Sequence, residues 1–337
     1  MKPGKVLLLV VMAAASLAYA QTAAPLVLAR TVPLPSVTGK FDHFAFDAAG
    51  DRLFIAATGN HSVEVIDLKV DKVEQSITGL GKPHGLAWVA ATGSLYVADG
   101  SLAELQVYKG KPLALAGRIK LSDDADDMVY DEVHHLLFVG HGGGDAAKVA
   151  VVDTERFTLV ANLAVATHPE ALDIDAGSRR VFANIADSKE VAVIDTASKA
   201  ISAHWKLTRA EDNVPMAFDA THNLLYVACR TPGTVIAMDA ATGKELASLP
   251  AASGADDLFY DAALGRVYVI AASGKVDAYQ VDKVRTLRAL GVLHTAPGAK
   301  TALFVPSQAL LYVGVPGVAG RPAEVRAYAT VKSEATR

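Results

Sequence analysis

Leu225-Tyr226-Val227-Ala228-Cys229, then Val235-Ile236-Ala237-Met238-Asp239, then Ala240-Ala241-Thr242-Gly243-Lys244 form two short apolar runs and a closing turn. Runs of this length, rich in β-branched and aromatic residues and bounded by turn residues, read as strands. The same unit recurs along the chain. The triplet of an aliphatic residue, Phe or Tyr, and a small or aliphatic residue stands at Leu53-Phe54-Ile55, Leu95-Tyr96-Val97 and Leu137-Phe138-Val139. It returns at Val181-Phe182-Ala183, Leu225-Tyr226-Val227, Val267-Tyr268-Val269 and Leu311-Tyr312-Val313. Successive copies lie 42 or 44 residues apart. Asp47, Asp131, Asp175, Asp219 and Asp261 precede five of the triplets by six residues. The following run ends on Asp67, Asp153, Asp195 or Asp239, whose carboxylates suit tight turns.

Four short strands per repeat of this length describe a propeller blade, and seven repeats describe a seven-bladed β-propeller. An open solenoid could share the period, but the chain ends decide between the two. Pro25 to Pro33 reads as a strand ahead of the first unit, and the last unit has only three strands, ending at Val325 to Tyr328. The expected fold is therefore all-β, with the last blade closed by the N-terminal strand, which also removes an exposed sheet edge.

The chain has 337 residues, 51% hydrophobic and 20% charged, with a formal net charge of −4. That composition suits a globular protein and supplies no positive field for nucleic acid. Its one cysteine, Cys229, rules out an intramolecular disulfide and a cysteine-cluster metal site. Lys2 and Lys5, the apolar run Val6 to Leu17 and Ala18-Tyr19-Ala20 have the form of a signal peptide cleaved after Ala20. Residues 21–337 are then expected to be one propeller domain, periplasmic or secreted and monomeric, with no membrane-spanning segment after cleavage.

The repeats resemble the YVTN-type units of YncE-like β-propeller proteins over essentially the whole chain after Ala20. The resemblance rests on Lys82-Pro83-His84-Gly85-Leu86-Ala87, Leu95-Tyr96-Val97-Ala98-Asp99, the Val-x-Val-Ile-Asp third strands and Thr242-Gly243-Lys244. Most blades depart from Tyr-Val-Thr-Asn itself, and Val181-Phe182-Ala183-Asn184 keeps only the Asn. The resemblance implies the propeller fold and a binding role. It also implies single-stranded DNA binding, against which the net charge argues.

In antiparallel blades the start of the first strand and the end of the second share one rim around the axis. Eleven residues before each triplet stand Asp42, His84, Asp126, Glu170, Val214, Asp256 and Lys300. The next positions include His43, Asp127 and Asp257, and second-strand ends add Asp99, His141, Asn184 and Arg230. This predicts a polar, mainly acidic funnel. The ligand-binding set is Asp42, His43, His84, Asp99, Asp126, Asp127, His141, Arg230, Asp257 and Lys300. Oxygen ligation there suits Ca²⁺, Mg²⁺ or Mn²⁺, and added imidazole admits Zn²⁺. Related propellers hold an axial cation with Glu, Asn and Asp, which implies Asp126, Glu170, Asn184 and Asp256 as metal ligands. The function expected is an exported binding or scaffold module for a small molecule or protein partner. The alternative is a metal-dependent lactonase-like hydrolase with its cation on the axis, water being activated by a carboxylate or His84.

Overall fold

The computed structural model describes residues 24–283 and 285–332. The signal-peptide reading falls on residues outside this range. Among the described residues there is no α-helix, and the strands form seven four-stranded antiparallel sheets. Six blades are consecutive in sequence. The fourth, for example, runs through Pro169–Asp175, Arg180–Ile185, Glu190–Asp195 and Ala200–Lys206. The seventh takes Ala302–Val305, Leu310–Val315 and Ala323–Thr330, with Leu26–Leu34 as its outermost strand. That N-terminal strand pairs antiparallel from Leu26 opposite Thr330 to Leu34 opposite Ala323.

The aromatic at the centre of each triplet explains the period. Phe54, Tyr96, Phe138, Phe182, Tyr226, Tyr268 and Tyr312 are all 0% exposed. They sit on second strands, whose two faces pack against neighbouring blades. The core accordingly divides into seven clusters, one at each junction between adjacent blades; Val32, Leu34, Tyr312 and Val325 meet Phe41, Phe44, Leu53 and Ile55 where the ring closes. The recurring aspartates fix turns as expected. Asp47 accepts from the amides of Ala49 and Gly50, Asp131 from Val133 and His134, and Asp239 from Ala241 and Thr242.

The first strand of each blade borders the axis. In an ordinary strand, consecutive side chains point to opposite sides. Here the entry to the first strand is bulged. In the third blade the carbonyl of Gly140 accepts from the Asp126 amide, and the Gly140 amide donates to the Asp127 carbonyl, so two residues oppose one. Ala56 opposes Asp42 and His43 in the same way, and the register also shifts between Pro169 and Ala171 and between Ala255 and Asp257. A bulge re-aims side chains. Both members of Asp42-His43, Asp126-Asp127 and Asp256-Asp257 consequently reach the axial space, one above the other. Gly85 occupies the corresponding place in the second blade, where a Cβ would stand 2.1 Å from the Asp126 carbonyl oxygen.

Candidate functional site

The axial space has two levels. The upper is an open funnel of about 210 Å³ lined by Asp42, His43, His84, Asp126, Glu170, Val214, Asp256 and Lys300, as the repeat register predicts, and by Arg230 from a second-strand end, together with Lys40, Lys82, Asp124 and His168. Below it lies a cavity of about 320 Å³ that Asp127 and Asp257 join instead. His43 and Asp256 border both.

Lys40, Lys82, Asp124 and His168 were not anticipated. They stand two residues before the predicted ring, thirteen ahead of the triplet, in the connections that lead into the first strands. Reading the register two residues further back reveals them. They also change the electrostatics: the funnel is charge-balanced rather than mainly acidic. Asp256 is ion-paired with both Arg230 and Lys300, and Lys82 lies 3.0 Å from Asp124. His168 offers Nε2 to Asp126 at 3.4 Å and Nδ1 to the Gly142 carbonyl at 2.8 Å.

Three expected rim residues face elsewhere. Asp99 is fully buried and accepts from the amides of Gly81, Lys82 and Leu102 at 2.7, 2.9 and 3.0 Å. It fixes the loop that presents Lys82. His141 is buried, with Nδ1 accepting from the Ser122 amide and Nε2 facing the Asn162 side-chain oxygen at 2.9 Å. Burial lowers its pKa, so it is a neutral structural imidazole. Asn184 donates to the Val214 carbonyl and accepts from the Asn213 amide group, both at 2.9 Å. All three lie on second strands, whose side chains are sandwiched between blades. Cys229 is also buried there, and burial pushes its thiol up to about 12.

His43 occupies the centre. Its Nε2 lies 3.7 Å from Asp42 Oδ1 and 3.8 Å from Asp126 Oδ1; its Nδ1 lies 3.8 Å from Asp127 Oδ1 and from Asp257 Oδ1. These are ion-pair separations, longer than hydrogen bonds. Burial opposes charge on His43, but the carboxylates of Asp127, Asp42, Asp257 and Asp126 outweigh it and raise the imidazole to about 10. Burial likewise works against charge on His168, yet the Asp126 and Gly142 contacts lift it to about 9. Burial alone would raise Asp42. The 2.7 Å bond to His84 Nδ1, with His43 beside it, instead holds Asp42 well below the usual carboxylate range. Burial pushes Asp257 up to about 8, with His43 opposing and Asp256 adding to it. Glu170 is raised by burial, with His168 opposing and Asp126 adding to it.

These shifts set the pH dependence of the metal-free protein. The stabilisation from charged His43 is complete below its unfolded value of 6.5 and is lost as pH rises through about 10. Asp257 acts in the same sense, since its proton is held in the folded state up to about 8 against 3.8 unfolded. The folded state binds more protons, so stability falls with rising pH. The melting temperature in EDTA is expected to decline steadily from about pH 6.5 to about pH 10; a level profile there would contradict the charge assignment of His43.

The donor set can be tested for a cation. Ligand atoms of Asp42, His43 and Asp126 all lie within 4.8 Å of one another, the one such group of three or more His, Cys, Asp or Glu found among the described residues. Glu170, Asn184 and Asp256 lie outside it. His84, bonded to Asp42, stands where an outer partner orients a metal-binding carboxylate. Two carboxylates and one imidazole fit Mn²⁺ or Zn²⁺ better than Ca²⁺, which prefers an all-oxygen shell.

Fold and site together define a seven-bladed β-propeller with a charged axial funnel. No protein-family model matches the chain, and no curated protein matches it in sequence. Among solved structures it is similar to a chain of Kuenenia stuttgartiensis hydrazine synthase, with TM-score 0.74 and 17% identity over 82% of this chain and 94% of that one. It is also similar to a chain in the crystal structure of the mitotic checkpoint complex, with TM-score 0.77 and 12% identity over 98% of this chain and 99% of that one. At such identities the likeness concerns the propeller fold alone.

Proposed function

We propose that the chain is an exported, YncE-like binding propeller whose funnel floor takes a divalent cation at Asp42, His43 and Asp126. Around it, Lys40, Glu170 and the ion pairs of Lys82 with Asp124 and of Arg230 and Lys300 with Asp256 receive a small polar ligand or a charged segment of a partner. The observation that carries this reading is the convergence of Asp42, His43 and Asp126 at the foot of an open funnel. Charged residues occur at the same register in several blades, and the bulges turn them to one point. The amino-terminal pattern ending at Ala20 supports export.

The cation and the His43 proton compete for one imidazole, so binding releases a proton and strengthens as pH rises. Mn²⁺ or Zn²⁺ is expected to raise the melting temperature of EDTA-treated protein, because a ligand bound only by the folded form stabilises it. The rise should be larger at about pH 8 than at about pH 6 and absent in Asp126→Asn. No bound metal after purification and no shift with either ion would defeat the proposal. The His84 ring meets Asp42 through Nδ1, while its Nε2 is buried without a hydrogen-bond partner among the described residues, so His84 is poorly placed to activate water. Metal-dependent turnover of a lactone panel would nonetheless replace the binding reading with the hydrolase.

A further inference from the structure

The lower cavity differs in chemistry from the funnel above it. Phe218, Phe259, Leu303 and Phe304 form much of its wall, and among the described residues no lysine or arginine lines it. It reaches Pro306, at the first turn of the seventh blade on the far rim, so it extends away from the funnel. Its volume of about 320 Å³ falls within the range of small-molecule pockets.

Below Asp256, which borders both levels, three further carboxylates interrupt the apolar wall in a repeated way. One oxygen of Asp127 accepts from the Leu172 amide at 2.7 Å, one of Asp173 from Phe218 at 2.7 Å, and one of Asp257 from Ala302 at 2.6 Å. Each bond crosses to the next blade and fixes the carboxylate in place. Asp127 and Asp257 share the cation of His43 above them. Asp173 stands a step lower. Among the described residues it has no ion-pair partner; its carboxyl accepts from the amides of Phe218 and Ile174, each at 2.7 Å, and feels the charge of Asp127. Burial pushes its carboxyl up to about 6. A carboxylate on an apolar wall with no counter-charge is costly, and a cation delivered by a ligand removes that cost.

We propose that this chamber binds a hydrophobic organic ammonium compound, its apolar body against Phe218, Phe259 and Phe304 and its ammonium group on Asp173. Charge-assisted hydrogen bonds would hold the head group, and displacement of water from the aromatic wall would favour the body. The site lies beneath the cation site, with His43 bordering both, and needs no metal.

The test uses the mature chain in EDTA, so that failure of the funnel reading leaves it unaffected. Calorimetric titration compares 2-phenylethylamine with 2-phenylethanol, which keeps the shape and removes the charge. The amine is expected to bind about tenfold or more tightly than the alcohol, the value of one charge-assisted bond. Asp173→Asn, which keeps an acceptor for the Phe218 amide, should bring the amine down to the level of the alcohol. Leu303→Trp, which fills the chamber, should weaken both. Equal affinity for amine and alcohol, an Asp173→Asn variant that keeps the preference, a Leu303→Trp variant that binds normally, or no amine binding at concentrations on the order of 10 mM would each overturn the proposal. If Asp173→Asn does not fold by circular dichroism, the wild-type amine-to-alcohol ratio decides alone.

Discussion

Deletion of the strand Leu26–Leu34 is expected to unfold the protein, not to trim it. Leu26, Val32 and Leu34 are 1%, 1% and 0% exposed, and burial of such side chains contributes about 1.5–3 kcal/mol each, roughly 5–9 kcal/mol together. Entire domains are stable by only about 5–15 kcal/mol. The deletion also removes the hydrogen-bond ladder to Ala323–Thr330. It further removes Arg30, which donates to the Leu68 carbonyl at 2.9 Å and pairs with Asp71 at 3.0 Å across the ring junction. The strand Ala323–Thr330 would become an open edge, which invites pairing between molecules. The truncated chain should aggregate on purification or lose its cooperative melt by circular dichroism. A monomer with a melting temperature within a few degrees of the full chain would show that the ring does not depend on this latch.

Replacement of His43 by alanine is expected to be the most damaging single substitution at the axis. It leaves Asp42, Asp126, Asp127 and Asp257 facing one another without the cation they share. Loss of one partner from a buried charge cluster costs about 3–5 kcal/mol; His43 keeps 21% side-chain exposure, which favours the lower figure. The loss should depend on pH. The orphaned carboxylates bind protons more readily in the folded state, so the deficit should grow as pH rises above about 4, be largest near pH 6.5, and close again toward about pH 10, where the wild type loses its own His43 charge. His43→Gln, which keeps most of the shape without the charge, should behave alike. Melting curves of both variants across pH check this. A deficit independent of pH would mean that the imidazole matters for packing rather than for charge.

The seven blades were legible in the sequence because the same physical demand recurs in each. An aromatic residue in the middle of the second strand must be sandwiched between two blades, and Phe54 through Tyr312 repeat it at a nearly constant interval. Closure was legible from the surplus strand at one end and the missing one at the other. The site was legible only in part. Asp42, Asp126 and Asp256 share a register, and that register does face the axis. Asp99, His141 and Asn184 were misleading because a second-strand side chain lies over a sheet face, and sheet faces meet neighbouring blades rather than the axis. The bulges left no residue-type signature; they arise from which amide meets which carbonyl across two strands. Without them, Asp126 and Asp127 would be assigned to opposite sides, and the cavity beneath His43 could not be foreseen. The charge balance was missed for a simpler cause, since Lys40 and Lys82 stand just before the strands, outside the register that was followed.

The doubled residue at each strand entry has a consequence for how such a molecule can change. Because adjacent positions in the chain address different storeys of the bore, a substitution at 42 or 126 alters what is met at the entrance, while one at 127 or 257 alters what is met inside; His43 and Asp256 face both. Neither need disturb the sandwiched aromatics that hold the wheel together. Entrance selectivity and interior selectivity can therefore drift apart by single codon changes on an unaltered frame.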